Sequence, residues 1–265
     1  MSETMHAVEL PRRIWRVTGD SPLAFLEATT SQSLLELRPG EGALTCVLDD
    51  KGHVLAELRV LVFAGHVLLD GEGDVSYLER VAPLSGCSVE PTDLRVHAVR
   101  GDRSSPLGPP LPAGERAHLT RDDGSIVVRV EWAVPGFDII GSRSSAKGSL
   151  AEHDAARIAA GRPVYGVDVT ADMLINETPY LARAVSFTKG CYPGQESVAR
   201  VHNLGRVRRL VVGVRGAEIA TGPLDDDVGR VTSAAGGSGI AYVRAEALEK
   251  GCARQDGNEV ELRAL

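Results

Sequence analysis

Two apolar runs, 43–48 and 54–63, stand on either side of Asp49-Asp50-Lys51-Gly52, and this spacing limits the fold more than any other feature of the chain. Short stretches of aliphatic and β-branched residues bounded by turn formers read as strands. Ala64-Gly65 then reverses the chain into a third run, 66–69, so a meander of sequential antiparallel strands is expected. Upstream, Asp20-Ser21-Pro22 reads as a helix start, with a capping side chain followed by proline in the first turn. Leu23, Phe25 and Leu26 give that helix its apolar face, and Asp74 precedes a second helix ending near Gly86.

Residues 101–116 are rich in Gly, Pro and Ser and read as a linker. A hairpin follows, 126–134 with 137–140, turned at Pro135-Gly136. The stretch 149–160 is helical in pattern and Gly161 closes it as a C-cap. From 207 onward the pattern is strand-dominated: 207–214, 228–234 and 240–243, then a short helix at 245–250 and a last strand at 259–262. A small C-terminal β-barrel fits that sequence of elements, and no repeat of solenoid length is present. The class expected is α+β.

At 265 residues, 43% of them hydrophobic, the chain is long enough for two or three units, each with a core. It contains no apolar run of the ~18 residues a membrane span needs, and Met1-Ser2-Glu3-Thr4 does not resemble a secretory leader. A cytoplasmic location without membrane association is the expectation. Cys46, Cys87, Cys191 and Cys252 lack paired spacing, which argues against a disulfide framework and a self-contained zinc site. Cys46, inside an apolar run, reads as core. A net charge of -7 opposes direct tRNA binding. Of the 29 basic residues only Lys51, Lys147, Lys189 and Lys250 are lysine, so Lys189 is conspicuous where nearly every other basic position is arginine.

Lys189 opens the most unusual segment, Lys189-Gly190-Cys191-Tyr192-Pro193-Gly194-Gln195-Glu196. Pro193-Gly194 breaks the chain, and Gln195–Arg200 reads as a helical turn with Glu196 near its start. Cys191 is then expected just before a helix N-terminus with an ammonium two residues away, and both favour a thiolate over a thiol. Flanking glycines leave room for a ligand or metal close to the backbone. On spacing alone, a simple chain reversal accounts for these residues equally well.

This octamer resembles the K-G-C-[FY]-x-G-Q-E signature of the YgfZ family, folate-binding relatives of the glycine-cleavage T-protein, an aminomethyltransferase. Arg157, Gly161, Pro163, Gly166 and Asp168 match its R-x-x-x-G-x-P-x-x-G-x-D stretch, and Val228–Ser233 with Gly239–Arg244 resemble its C-terminal region. Two positions depart: Ser33 stands where the family often has an aspartate, and Ile175 where it has the proline of P-x-E. The resemblance implies a three-lobed aminomethyltransferase-like fold, two α+β lobes around a central channel plus a C-terminal β-barrel. The corresponding division is 1–45 with 145–203, 46–144, and 204–265. It also implies tetrahydrofolate or a one-carbon derivative as cofactor. Glu177 would face the pterin, since a carboxylate accepts two parallel N–H bonds. Tyr192, Gln195, Glu196 and Arg200 would complete the folate contacts, with Arg200 reaching the glutamate tail or closing the pocket. Cys191 and Lys189 would form the reactive pair, Cys191 ligating iron transiently while an iron–sulfur assembly or client protein supplies the other ligands.

The implied function is support of iron–sulfur cluster assembly or repair, linked to tRNA modification. The alternative is a folate-dependent one-carbon transferase, or a family member recruited to a biosynthetic pathway. Other candidates read as structural or solvated: the basic cluster Arg200, His202, Arg206, Arg208 and Arg209, the acidic run Asp225-Asp226-Asp227, and the glycine-rich turn at 235–239. A Cys191–His202 catalytic pair would need the two brought together by the fold.

Overall fold

A computed structural model describes residues 6–100, 114–130, 136–141 and 148–265. Most of the expected linker (101–113) and the hairpin turn residue Pro135 lie outside them. The chain divides into two compact units: Met1–Val47, Ala56–His153 and Ala184–Tyr192 form the first, and Leu48–Leu55, Asp154–Arg183 and Pro193–Leu265 the second. It is a strand-rich mixture of α and β, in line with the class expected.

The first unit carries β1 (His6–Leu10), β2 (Arg13–Gly19), α1 (Pro22–Thr29), β3 (Gly42–Leu48), β4 (Val54–Phe63), β5 (His66–Gly73), α2 (Ser76–Val81), β6 (Cys87–Pro91), β7 (Arg95–Arg100), β8 (His118–Thr120), β9 (Ile126–Val130) and β10 (Gly136–Gly141). The meander is present as β3, β4 and β5, with Leu48 of β3 and Val54 and Leu55 of β4 counted in the second unit, and β4 begins and ends where the sequence pattern does. Two five-stranded sheets result, ordered β3-β4-β5-β2-β6 and β1-β7-β10-β9-β8. Ile14, Leu61 and Leu68 of one sheet pack with Val96, Ile126, Val128 and Ile140 of the other. Burial of nearly every residue of β4 leaves no solvated face for its one arginine. Arg59 instead lies directly across from Asp70 on β5 and bonds it, Nε to Oδ2 at 2.9 Å. The chain of charges continues from Arg59 Nη1 to Asp138 Oδ2 (2.7 Å) and from Arg100 Nη2 to Asp138 Oδ1 (2.9 Å), with Arg12 Nε on the other oxygen of Asp70 (2.5 Å). Buried charge is tolerated when each carboxylate is matched this way.

Helix α1 starts with Ser21 at the N-cap and Pro22 in the first turn, but no side chain caps it, contrary to expectation. The proline removes one donor that would otherwise need a partner.

The second unit carries α3 (Leu150–Ala159), α4 (Tyr180–Ala184), α5 (Gln195–Leu204), β11 (Arg209–Arg215), β12 (Gly222–Pro223), β13 (Gly229–Ala235), β14 (Ser238–Arg244), α6 (Ala245–Lys250), β15 (Cys252–Gln255) and β16 (Asn258–Arg263), with the ends of α3 and α4 shared with the first unit. Its sheet is antiparallel, ordered β12-β13-β14-β11-β16-β15. This is a half-barrel sheet rather than the small β-barrel expected. The edge strand β12 is two residues long and one of them is Pro223, which has no N–H to donate to a further strand. The glycine-rich stretch is the turn between β13 and β14: Gly236 (φ 54°) and Gly237 (φ 75°) supply the two left-handed residues of a type I′ reversal.

A bulge at Thr232 interrupts the register of β13 on β14. Adjacent strand residues normally point to opposite faces, but the bulge lets both Thr232 Oγ1 and Ser233 Oγ donate to Asp168 Oδ1, each at 2.6 Å. The other carboxylate oxygen takes Arg157 Nη1 (2.8 Å) and the Val164 N–H (3.1 Å). Arg157 also donates to Ser233 Oγ (3.0 Å) and Asp154 Oδ1 (2.7 Å). The motif residues Arg157, Asp168 and Ser233 thus form one buried polar knot inside the second unit.

Candidate functional site

The octamer divides between the units, Lys189 to Tyr192 in the first and Pro193 to Glu196 in the second. In the first unit its neighbour is the end of α1 and the loop after it. Ser31 pins that loop: its hydroxyl donates to the Ala184 carbonyl (2.6 Å) and accepts from the Cys46 N–H (2.9 Å), while its own carbonyl accepts from the Ser186 N–H (2.9 Å). Glu27 Oε2 accepts from the Leu34 N–H at 2.6 Å.

Lys189 reaches into this corner. Its ammonium donates to the carbonyls of Glu27, Thr30 (2.7 Å) and Gln32 (2.9 Å), and its side chain is 1% exposed. Glu27 Oε1 lies 3.9 Å away and the Tyr192 ring centroid 5.1 Å. Burial draws this ammonium down from its ordinary value to about 8, with Glu27 pulling in the opposite sense. Only the charged form has three donors for three acceptors. The expected ammonium free beside Cys191 is therefore engaged elsewhere. Nor does Cys191 adjoin the helix: Tyr192 and Pro193 separate it from the N-cap, Gly194. The terminal field of a helix fades within its first turn.

Cys191 is exposed, as is Cys252, whereas Cys46 and Cys87 are buried. Tyr192 is the opposite of its neighbour. It is 6% exposed, and its hydroxyl has no hydrogen-bond partner among the described residues. Burial pushes the pKa of this phenol up to about 12, so the group is a neutral phenol with an unused donor. Ser33, at the position of the family's aspartate, is exposed.

In the second unit, Gly194 (φ 82°) caps α5 and packs so closely on the turn before β4 that a Cβ there would sit 2.4 Å from the Asp49 carbonyl. Gln195 is half-buried, Glu196 and Arg200 are exposed, and none of the three makes a side-chain hydrogen bond among the described residues. Glu177 is half-buried, and its Oε2 accepts from the Leu174 N–H and the Tyr242 hydroxyl, both at 3.0 Å. The second oxygen, Oε1, makes no hydrogen bond among the described residues. Burial and then Glu177 raise the Tyr242 phenol well above its ordinary value, fixing it as the donor. Arg209 stacks over the Tyr242 ring at 5.6 Å.

Two functional candidates escape a sequence reading. Tyr242 orients Glu177 from β14, and only strand register could have linked them. Asp49 and His53 form a pair (Oδ2 to Nδ1, 2.8 Å), with Asp49 Oδ1 also accepting the N–H groups of Lys51 (2.9 Å) and His53 (2.8 Å). Burial works against the Asp49 carboxylate, but the His53 and backbone hydrogen bonds prevail and lower its value. The Asp-Asp-Lys-Gly-His order is the available signal for that turn. Elsewhere, Asp225 accepts from the Asp256 and Gly257 N–H groups and Asp227 pairs with Arg244, so that acidic run is tied into the fold. Among the described residues no three His, Cys, Asp or Glu side chains converge as metal ligands.

No protein-family model matches the sequence. No curated protein matches it either. The folded chain, however, is similar to the crystal structure of the glycine cleavage system aminomethyltransferase T from Bartonella henselae, with a TM-score of 0.85 over 98% of this chain and 84% of that one. The fold is aminomethyltransferase-like. At 18% identity the likeness is one of architecture.

Proposed function

We propose that this chain is a cytoplasmic folate-binding protein that presents Cys191 to support iron–sulfur cluster assembly or repair. The observation that carries the proposal is the pairing of an exposed Cys191 with a buried Tyr192 hydroxyl that has no partner among the described residues, in a segment bearing the octamer. A buried donor without an acceptor costs about 1–3 kcal/mol, a cost that a ligand offering an acceptor removes. Glu177, held by Tyr242 with one oxygen to spare, suits the adjacent N–H donors of a pterin. Gln195, Glu196 and Arg200 are the further polar groups assigned to the folate. The aminomethyltransferase-like fold supports a three-lobed arrangement; of the expected lobes 1–45 plus 145–203, 46–144 and 204–265, the first loses β1 and β2, which pair with β7 and with β5 and β6 and so join residues 6–19 to the 46–144 strands.

In this reading the cluster in transit is cargo. Cys191 loses its proton to solvent and contributes one iron ligand; a partner protein supplies the others, because one thiolate leaves a cluster under-coordinated. Direct tRNA contact is not part of the proposal, given the net charge of -7.

Titration of the purified protein with tetrahydrofolate and its one-carbon derivatives tests the ligand. Rescue of an iron–sulfur-dependent tRNA thiolation in a deletion strain tests the cysteine. We expect folate binding in wild type and in Cys191→Ala, with rescue by wild type alone. Absence of folate binding refutes the cofactor, and equal rescue by both refutes the role of Cys191. A second reading, a folate-dependent one-carbon transferase or a relative recruited to biosynthesis, is favoured by the likeness to an aminomethyltransferase. Turnover of a methylated tetrahydrofolate, with no defect in tRNA thiolation, would select it.

A further inference from the structure

We propose that the Lys189 ammonium is a tethered cation filling a carbonyl socket at the C-terminus of α1, and that its task is to fix the segment bearing Cys191. Removing it should leave a socket that a free alkylammonium ion can occupy. This is a positioning role for a residue that the octamer alone casts as part of a reactive pair, and it does not depend on which ligand the protein binds.

Three independent features converge on the socket. First, the carbonyls of Glu27, Thr30 and Gln32 belong to the last turn of α1 and the loop beyond it, where backbone acceptors lack partners within the helix and carry its partial negative charge. Second, the groups facing the ammonium from every side are suited to a cation: three carbonyls, the Glu27 carboxylate and the face of Tyr192. Third, the residue is lysine in a chain whose 29 basic positions are otherwise nearly all arginine. A flat guanidinium fork cannot aim at three carbonyls around a point, whereas an ammonium has three donors in that arrangement. The anchor spans about 160 residues of sequence, from Lys189 to Glu27, and so ties the loop after α1 to the segment immediately preceding Cys191.

Two measurements test this. In native wild-type protein, acylation followed by mass spectrometry should modify Lys51 and Lys250, both exposed, and spare Lys189. In Lys189→Ala, amide hydrogen exchange of Ser186, whose N–H bonds the Ser31 carbonyl, should accelerate by more than about tenfold, as expected when a local anchor is lost. Methylammonium chloride should restore its protection, and tetramethylammonium chloride, with the same charge and no N–H, should not. Lys189→Met serves where the alanine variant fails to fold, with accelerated exchange again expected. Acylation of Lys189 as fast as Lys51 and Lys250 overturns the proposal. So does exchange within about twofold of wild type in a folded variant, or rescue by both cations alike or by neither.

Discussion

Replacing Asp168 with asparagine tests whether the motif residues Arg157, Asp168 and Ser233 are there for the fold. Asp168 is fully buried and accepts all four of its hydrogen bonds among the described residues, from Arg157, Val164, Thr232 and Ser233. Asparagine keeps the shape but turns one acceptor oxygen into a donor, which then faces two N–H or two O–H groups. It also removes the charge that offsets the Arg157 guanidinium. Deleting one partner of a buried ion pair costs about 3–5 kcal/mol. Arg157 keeps Asp154, a partly exposed partner, so the lower end of that range applies. For a chain of this size about 3 kcal/mol corresponds to a fall in Tm of roughly 6–12 °C. Thermal unfolding followed by circular dichroism at neutral pH reads this directly. A loss below about 1 kcal/mol in Asp168→Asn would refute the reasoning and leave the motif to be explained by function.

Acid should unfold the first unit partly through Asp138. Burial pushes its carboxyl up, but Arg100 and Arg59 outweigh that and draw it down from 3.8 to about 2. A lowered folded value contributes stability that is complete above 3.8 and lost as pH falls through 2, about 2 kcal/mol in all. Urea midpoints measured from pH 5 to pH 2 in wild type and Asp138→Asn should therefore converge at the acid end. Tyr192→Phe should stabilise the ligand-free protein by about 1 kcal/mol, because it removes a buried hydroxyl without a partner among the described residues. The same change should weaken tetrahydrofolate binding by roughly three- to tenfold in a calorimetric titration; a variant that is both less stable and unimpaired in binding contradicts the assignment.

How much of this was legible in the sequence depends on whether the cause is local. Strand β4, the Gly236-Gly237 turn and the α3 stop at Gly161 (φ 65°) follow from short-range pattern and turn chemistry, and the structure has them. Strands β2 and β7 were not legible, because their arginines and histidine interrupt the apolar alternation. His97 and Arg100 nevertheless lie buried, Arg100 against an aspartate on the neighbouring strand. The two-residue β12 is too short to carry a pattern, and with it went any sign that the C-terminal sheet stays open. At the site, the octamer marked the segment as unusual, and Cys191 within it is exposed. The work of Lys189 was hidden, since its partners are backbone carbonyls, which have no residue type to recognise. Tyr242 was hidden for a different reason: its relation to Glu177 arises from how β14 is placed in its sheet.

The two glycines of the octamer separate what the fold needs from what the site needs. Gly194 has φ 82°, and a Cβ on it would meet the Asp49 carbonyl at 2.4 Å, so Gly194→Ala combines a left-handed backbone with a backbone clash. The conformational part alone costs on the order of 1–2 kcal/mol, and the clash adds to it by displacing the turn that carries Asp49 and His53. Gly190 differs: its φ lies outside the left-handed region and a Cβ there meets nothing within 4 Å. Gly190→Ala should leave stability within about 0.5 kcal/mol of wild type. If the fold were its only reason to be glycine, the change should also be silent in function. Loss of folate binding or of tRNA thiolation in a fully stable Gly190→Ala would mean that the open space beside Cys191 is kept for something the protein binds. Full activity would mean that the space is incidental, and would remove one support for placing the ligand there.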